Sequence, residues 1–273
     1  MKTTANADSE RFRSDAHKYA AYLATSEGRL RLDLTFANLQ RFLPQAQKSW
    51  CALDVGCGTG AMAVRLASLG IHVTLLDSSE EMLEIAKSAA REAEVTEKIT
   101  LHWGDVSQLT EAFHRASFDV VLCHNILEYV DDPAAVLRGA ALLMRGSPAI
   151  LSVLVRNRAG EVLKAAIQAG DLAAAENNLV AEWARESLYG GSVRLFAPDS
   201  LQAILRAASL EVVAMHGIRV TSDYLPSMVS RRDEYERILE LELKLGGRSE
   251  FAAVARYLHC LARRRNPPME EGT

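Results

Sequence analysis

Apolar and polar positions along the chain follow two rhythms. Across residues 9–42, Tyr19, Tyr22, Leu23, Leu30, Leu34 and Leu39 recur at helical intervals with charges between them. Gly28 is expected to break this stretch into two helices. Beyond Pro44 the rhythm changes. Cys51-Ala52-Leu53-Asp54-Val55 is a short apolar run ending at glycines, the pattern of a strand buried on both faces. Helix and strand patterns then alternate: helix 61–69, strand 72–76, helix 80–93, strand 99–103, a short helical segment, strand 118–123, helix 133–144 and strand 149–155. Pro133 suits a first helical turn, where its missing N–H would be unpaired anyway, and Asp131-Asp132 reads as the cap before it. Strands alternating with amphipathic helices predict an α/β fold whose parallel sheet is covered on both faces.

The remainder is more mixed. Residues 159–185 are alanine-rich and helical in pattern, followed by a break at Gly190-Gly191. Pro198-Asp199-Ser200 opens a helix over 201–208. A strand is expected over 212–220, a charged amphipathic helix over 233–245 and a last strand over 257–262. The tail 263–273 has nothing to bury and is expected to be disordered. No internal repeat or long linker interrupts the pattern. The expected organisation is one domain over 1–265, with a helical insertion at about 157–195 and a tail over 266–273.

Composition narrows the classes. The chain has 273 residues, 49% hydrophobic and 24% charged, enough for a sizeable core. Its 31 Lys and Arg face 35 Asp and Glu, so a protein that grips nucleic acid by overall charge alone is excluded, though a local basic patch is not. Cys51, Cys57, Cys123 and Cys260 are scattered without a C-x-x-C pair and read as reduced core residues of a cytoplasmic protein. The N-terminus lacks the apolar core of a secretory signal, and no apolar stretch is long enough to span a bilayer. His17, His72, His102, His114, His216 and His259 show no metal-ligand spacing, so no metal is expected.

The strongest local signal is LDVGCGTG, residues 53–60. Gly56, Gly58 and Gly60 allow a sharp strand-to-helix turn and let a ligand lie against N–H groups at the next helix. A glycine triplet alone also fits any tight turn of this kind. Two acids sharpen it. Asp77, followed by Ser78, ends the second strand, where a carboxylate can accept both hydroxyls of an adenosine ribose. Gly104-Asp105 ends the third strand, where an adenine would lie. The spacing is G-x-G-x-G, not the G-x-G-x-x-G of dinucleotide sites. After the fourth strand comes HNILEYVDDP, with His124 at the strand's carboxyl end and Asn125, Glu128 and Tyr129 behind it. No Ser-His-Asp or Cys-His arrangement stands out.

This combination resembles the class I S-adenosylmethionine-dependent methyltransferases over residues from about 50 to 155. The resemblance implies a Rossmann-like, mostly parallel seven-stranded sheet flanked by helices, with N-terminal helices, a helical insertion after strand 5 and an antiparallel last strand. The segments SEGRLR, LLDSSEEM, HNILEYVDDP, GIRVTSDYL, LELE and ARYLHCLARR extend it. From about residue 10 to 265 the chain is similar to the bacterial tRNA methyltransferases that esterify 5-carboxymethoxyuridine at the wobble position. That resemblance implies S-adenosylmethionine as cofactor, with Arg31 on its carboxylate, Gly56, Cys57 and Gly58 at its tail, and Asp77 and Ser78 at its ribose. It places Gly104 and Asp105 at the adenine and His124 in the pocket. The implied partner is a tRNA anticodon arm.

A carboxylate acceptor is ionised at neutral pH, so it needs arginine to position it and no general base. Arg156, Arg194 and Arg219 are candidates, and Arg219 with Tyr224 is expected at the reacting end. The same arginines also suit surface ion pairs. One feature departs from an RNA-binding pattern: the insertion AAIQAGDLAAAENNLVAEWARESLYGGSVRLF is close to neutral. A small-molecule methyltransferase is therefore the second reading and a non-catalytic cofactor-binding module the third.

Overall fold

The computed structural model describes residues 16–43, 50–185, 191–226 and 229–265. The expectations for residues 9–15, for Gly190 and for 266–273 lie outside them. The chain begins with two helices, α1 (Ala16–Leu23) and α2 (Ser26–Gln40). The break between them is made by Thr25, whose hydroxyl caps α2 by accepting from Gly28 N. Gly28 lies inside α2, which corrects the expected break there. Its role is close approach: a Cβ at this position would sit 2.1 Å from the Tyr22 carbonyl oxygen.

The alternating pattern then unfolds largely as expected: β1 (Cys51–Val55), α3 (Ala61–Ser68), β2 (His72–Asp77), α4 (Glu80–Glu92), β3 (Ile99–Trp103), α5 (Leu109–Ala112), β4 (Val120–His124), α6 (Pro133–Leu143) and β5 (Ile150–Arg156). Asp132 caps α6, as the Asp131-Asp132 pair implies, and Ser79 caps α4. The fourth strand starts two residues late, because Phe118 makes only an isolated bridge to Met144.

After β5 the chain departs from a purely helical insertion. It forms α7 (Arg158–Leu163), a π-helical turn (Lys164–Gln168) and α8 (Leu172–Asn178). The ribbon β6 (Trp183–Arg185) and β7 (Ser192–Arg194) follows. Trp183 stacks under the Arg194 guanidinium across that ribbon, a pairing that alanine-rich flanks conceal. The fold ends with α9 (Pro198–Ala207), β8 (Leu210–Ile218), α10 (Tyr235–Gly246), α11 (Ser249–Ala252) and β9 (Tyr257–Arg264), which corrects the expected disorder at Arg263 and Arg264, paired here with Glu211 and Leu210.

Seven strands form one sheet in the order β3-β2-β1-β4-β5-β9-β8. β9 runs antiparallel to both β5 and β8, and the other neighbours are parallel. This is the class I methyltransferase architecture. Each face buries its own apolar layer. On one, Val121, Val153 and Leu258 pack with Leu137 and Leu143 of α6 and Leu201 and Leu205 of α9. On the other, Ala52, Val73, Leu122 and Leu261 pack with Leu39, Leu66 and Leu83 from α2, α3 and α4. At roughly 2 kcal/mol for each fully buried leucine, these layers fix the strand ends where the site is built.

Candidate functional site

The carboxyl ends of β1 to β5 open into a cavity of about 320 Å³, roofed by α1 and α2. One end is the glycine loop. Gly56, Gly58 and Gly60 have φ of +66°, +53° and +70°. A Cβ on Gly56 would strike the Ile126 side chain at 2.7 Å, and one on Gly58 would lie 3.3 Å from the Tyr19 ring. The loop's N–H groups are mostly taken. Gly56 N and Cys57 N donate to the Leu76 carbonyl at 2.8 and 3.0 Å, Gly60 N to the Cys57 carbonyl, and Gly58 N to Asp77 Oδ2 at 2.8 Å. The expected cradle of exposed N–H groups is thereby corrected. The loop offers a ligand room and shape, which suits an amino-acid tail better than a diphosphate.

Asp77 lies where the sequence places it, at the end of β2 on the cavity wall with Ser78, Gly104 and Asp105. Its other oxygen accepts from Ser79 N, so the carboxylate is aimed rather than mobile. Burial raises the Asp77 pKa, against those backbone donors. Asp54, buried beneath the loop, is pushed up to about 7 by burial and by Asp77. Asp105 is turned by Ser107, which donates to Oδ1 through both its backbone and its hydroxyl. Cys57 lines a smaller adjoining cavity, next to Asp54. Burial raises its thiol pKa well above the usual value, so it fills space and is no nucleophile.

His124 also faces the cavity. Its Nε2 lies 2.8 Å from Ser152 Oγ, and Ser152 Oγ lies 2.8 Å from His259 Nε2. His216 continues the row, its ring 6.4 Å from that of His259. Burial and then Arg31 depress His124 to about 3, so it is neutral and poorly suited to act as a base. Three of the seven histidines, His124, His259 and His216, thus form with Ser152 a polar row across β4, β5, β9 and β8. No group of three or more metal-ligating side chains gathers among the described residues.

The other end of the cavity is cationic. Arg31 on α2 is buried, donates to the Tyr19 hydroxyl at 2.9 Å and lies over the rings of Tyr19, Tyr22 and Tyr257. Arg29, its neighbour in the motif, turns away to Asp33 and Tyr235. Arg156, Arg219 and Arg256 converge from β5, from the turn after β8 and from the start of β9. Arg219 holds φ +61° and donates through Nε to Asp223 Oδ1 at 2.8 Å and through Nη1 to the Tyr22 hydroxyl at 2.9 Å. Arg256 lies 2.8 Å from Glu161, which Arg156 also approaches at 3.3 Å. Tyr257 stands among them. Burial works to raise its phenol pKa, yet Arg31, Arg156, Arg219 and Arg256 together pull it well below the ordinary value.

Two expected residues are not in this cluster. Tyr224 is turned out of the cavity, and its hydroxyl donates to the Gly160 carbonyl at 3.4 Å; its neighbour Asp223 is the residue on the cavity wall. Arg194 is stacked on Trp183 in the ribbon, outside the wall. Sequence reasoning missed Tyr19, Tyr22, Arg256 and Tyr257. Arg256-Tyr257 lies in the quoted segment ARYLHCLARR, and only its register on β9 brings it to the site.

Comparison with known proteins accords with this geometry. The model of a family described as "Methyltransferase domain" matches residues 47–214. The tRNA 5-carboxymethoxyuridine methyltransferase of Escherichia coli (strain K12) is 28% identical over 251 residues, 88% of this chain and 90% of that protein. The ubiquinone biosynthesis O-methyltransferase of Aromatoleum aromaticum is 32% identical over 170 residues, 61% of this chain and 66% of its own length. Among solved structures, a SAM-dependent methyltransferase from Thermotoga maritima superposes with a TM-score of 0.63 at 18% identity, covering 94% of this chain and 99% of that one. The close approach that Gly56 and Gly58 allow, the aimed carboxylate of Asp77 and the roofed cavity fit S-adenosylmethionine. The chain belongs to the methyltransferase-domain family and is an S-adenosylmethionine-dependent methyltransferase.

Proposed function

We propose that the protein methylates a carboxylate, that of 5-carboxymethoxyuridine at the wobble position of tRNA, forming a methyl ester. The carrying observation is the cationic end of the cavity, where Arg156, Arg219 and Arg256 surround Tyr257. Such a field favours an acceptor that arrives ionised. The similarity to the Escherichia coli tRNA enzyme, over 88% of this chain and 90% of that protein, supports the same acceptor.

In this reading the glycine loop, with Gly56 and Gly58, accommodates the amino-acid tail of S-adenosylmethionine and Arg31 meets its carboxylate. Asp77 and Ser78 receive the ribose, Gly104 and Asp105 the adenine, and His124 lines the pocket beside them. The cofactor supplies an electrophilic methyl on a sulfonium that carries its own leaving group. The protein's task is then alignment: Arg219 and its neighbours orient one carboxylate oxygen for in-line attack, and α1 and α2 limit water. No residue has to remove a proton.

The test is transfer of labelled methyl from S-adenosylmethionine to total bacterial tRNA, followed by nucleoside mass spectrometry. A methyl ester on 5-carboxymethoxyuridine, lost in mild alkali, is expected. The absence of label in tRNA known to carry that nucleoside, with cofactor binding intact, would overturn this acceptor in favour of a small molecule. The near-neutral composition of the insertion keeps that second reading in view.

A further inference from the structure

Glu128 is the buried acid that a carboxylate-methylating site does not need. It is 2% exposed, yet it lines the cavity between the glycine loop and the arginines. Its position is fixed from three sides. Asn125, with φ +53°, aims its side-chain amide at Oε1 (2.9 Å), and Arg156 N at the end of β5 donates to the same oxygen at 2.9 Å. The Glu128 carbonyl accepts from Arg194 N of β7. With Oε1 doubly engaged the carboxyl cannot turn, and Oε2 has no hydrogen-bond partner among the described residues. Burial raises its pKa, opposed by Asn125, its own backbone N–H and Arg156.

A buried carboxyl oxygen without a donor is costly, and a ligand that brings an N–H removes the cost. We propose that Glu128 determines acceptor specificity, its Oε2 accepting the imide N–H of a uracil-type base beside the methylated carboxylate. A cytosine-type base places a ring-nitrogen lone pair at the equivalent position and is repelled by the same oxygen. This rests on the proposed nucleoside acceptor and adds the means by which the base is read. It also gives Asn125 a role: from its left-handed backbone its amide engages Oε1 and leaves Oε2 unpaired.

The experiment compares two synthetic anticodon stem-loops, one carrying 5-carboxymethoxyuridine and one its N3-methylated analogue. Each is assayed with the wild type, Glu128→Gln and Glu128→Ala, and cofactor affinity reports that each variant is folded. Wild type is expected to prefer the N–H RNA by about 10- to 100-fold in kcat/KM. Glu128→Gln keeps the size and the Oε1 contacts but can place an amide N–H where Oε2 stood. It is expected to lose turnover on the N–H RNA while the methylated RNA is unaffected, so the ratio collapses. A ratio unchanged in Glu128→Gln would assign the preference to bulk alone and overturn the proposal, as would equal turnover of both RNAs by wild type. If neither RNA is esterified, the carboxylate reading itself falls and takes this one with it. Glu128→Ala, which removes both the oxygen and the bulk, is expected to abolish discrimination; persistent discrimination there would also exclude Glu128.

Discussion

The two ends of the cavity are built in opposite ways. The glycine-loop end comes from consecutive elements, β1 to β3, and its chemistry is acidic: Asp54, Asp77 and Asp105. The arginine end is gathered from both ends of the chain. Tyr22 comes from the N-terminal helices, Arg156 from β5, Arg219 from the turn after β8 and Arg256-Tyr257 from the start of β9, while Arg31 of α2 stands between the two ends, near Gly56 and Cys57 on one side and over Tyr257 on the other. The first end needs only local backbone geometry. The second exists only once the antiparallel strand β9 has entered between β5 and β8. A cofactor site can therefore stay constant while the acceptor site is rebuilt, because the two draw on different parts of the sheet.

The strongest way to break this division is Arg219→Ala. It strips a buried carboxylate, Asp223, of its main partner, a loss of about 3–5 kcal/mol for a buried pair. Acceptor turnover should collapse and urea unfolding should shift by that amount, while cofactor affinity measured by calorimetry stays the same. A parallel fall in cofactor affinity would mean that the ends are not separable.

Glu242 tests the same end from a distance. Its buried carboxylate accepts from Val220 N, Thr221 N, Ser222 N and the Thr221 hydroxyl, pinning the turn between Arg219 and Asp223. It sits in LELE, a segment whose role the sequence alone left unassigned. Glu242→Gln turns one acceptor into a donor facing donors, costing about 1–3 kcal/mol of stability. The acceptor KM is expected to rise with cofactor affinity unchanged. If kcat and cofactor affinity fall together while KM holds, the turn is a general support and not a positioning device for Arg219.

At the other end, Asp77→Ala should weaken cofactor binding by about 1–3 kcal/mol. The variant also frees Gly58 N and Ser79 N, so loop order is lost along with the ribose contact. Unchanged binding would remove Asp77 from the site. Thermal stability at a fixed pH should fall less than in Arg219→Ala, since no buried ion pair is left half-made.

The contrast also explains what could be read beforehand. LDVGCGTG, Asp77 and Asp105 carry their meaning in spacing, because strand-to-helix turns impose it, and the structure places all of them on or beside the cavity wall. Gly28 and Tyr224 lie elsewhere than their local pattern suggests, for the opposite reason. Gly28 answers to a carbonyl of the preceding helix, and which of two adjacent residues faces the cavity, Asp223 or Tyr224, depends on a turn held by Glu242. Arg256 and Tyr257 lay in plain view in ARYLHCLARR. Only the register that pairs Arg156 with Tyr257 gives them chemistry, and register between distant strands is not written in local pattern.

The smallest expected effect concerns the polar row that runs from His124 on the cavity wall into the sheet. His124, His259 and His216 all have pKa values lowered by burial, His124 to about 3. The unfolded chain binds protons at these histidines near pH 6.5, before the folded protein does. Their stabilisation is thus complete above that pH and lost as pH falls through the window towards the folded values. Asp54 acts oppositely: its pKa is raised to about 7 when folded, so its contribution is full at low pH and fades as pH rises towards 7. Wild-type stability alone would blend the two. The difference between wild type and His259→Phe isolates the histidine, because Asp54 is common to both. Denaturant unfolding between pH 7 and 4.5 should show the variant losing less stability on acidification, by up to about 1.4 kcal/mol per pH unit for one proton. Parallel curves would mean that His259 takes up its proton as readily in the folded sheet as in the open chain, and the row would then be wetter than its burial implies.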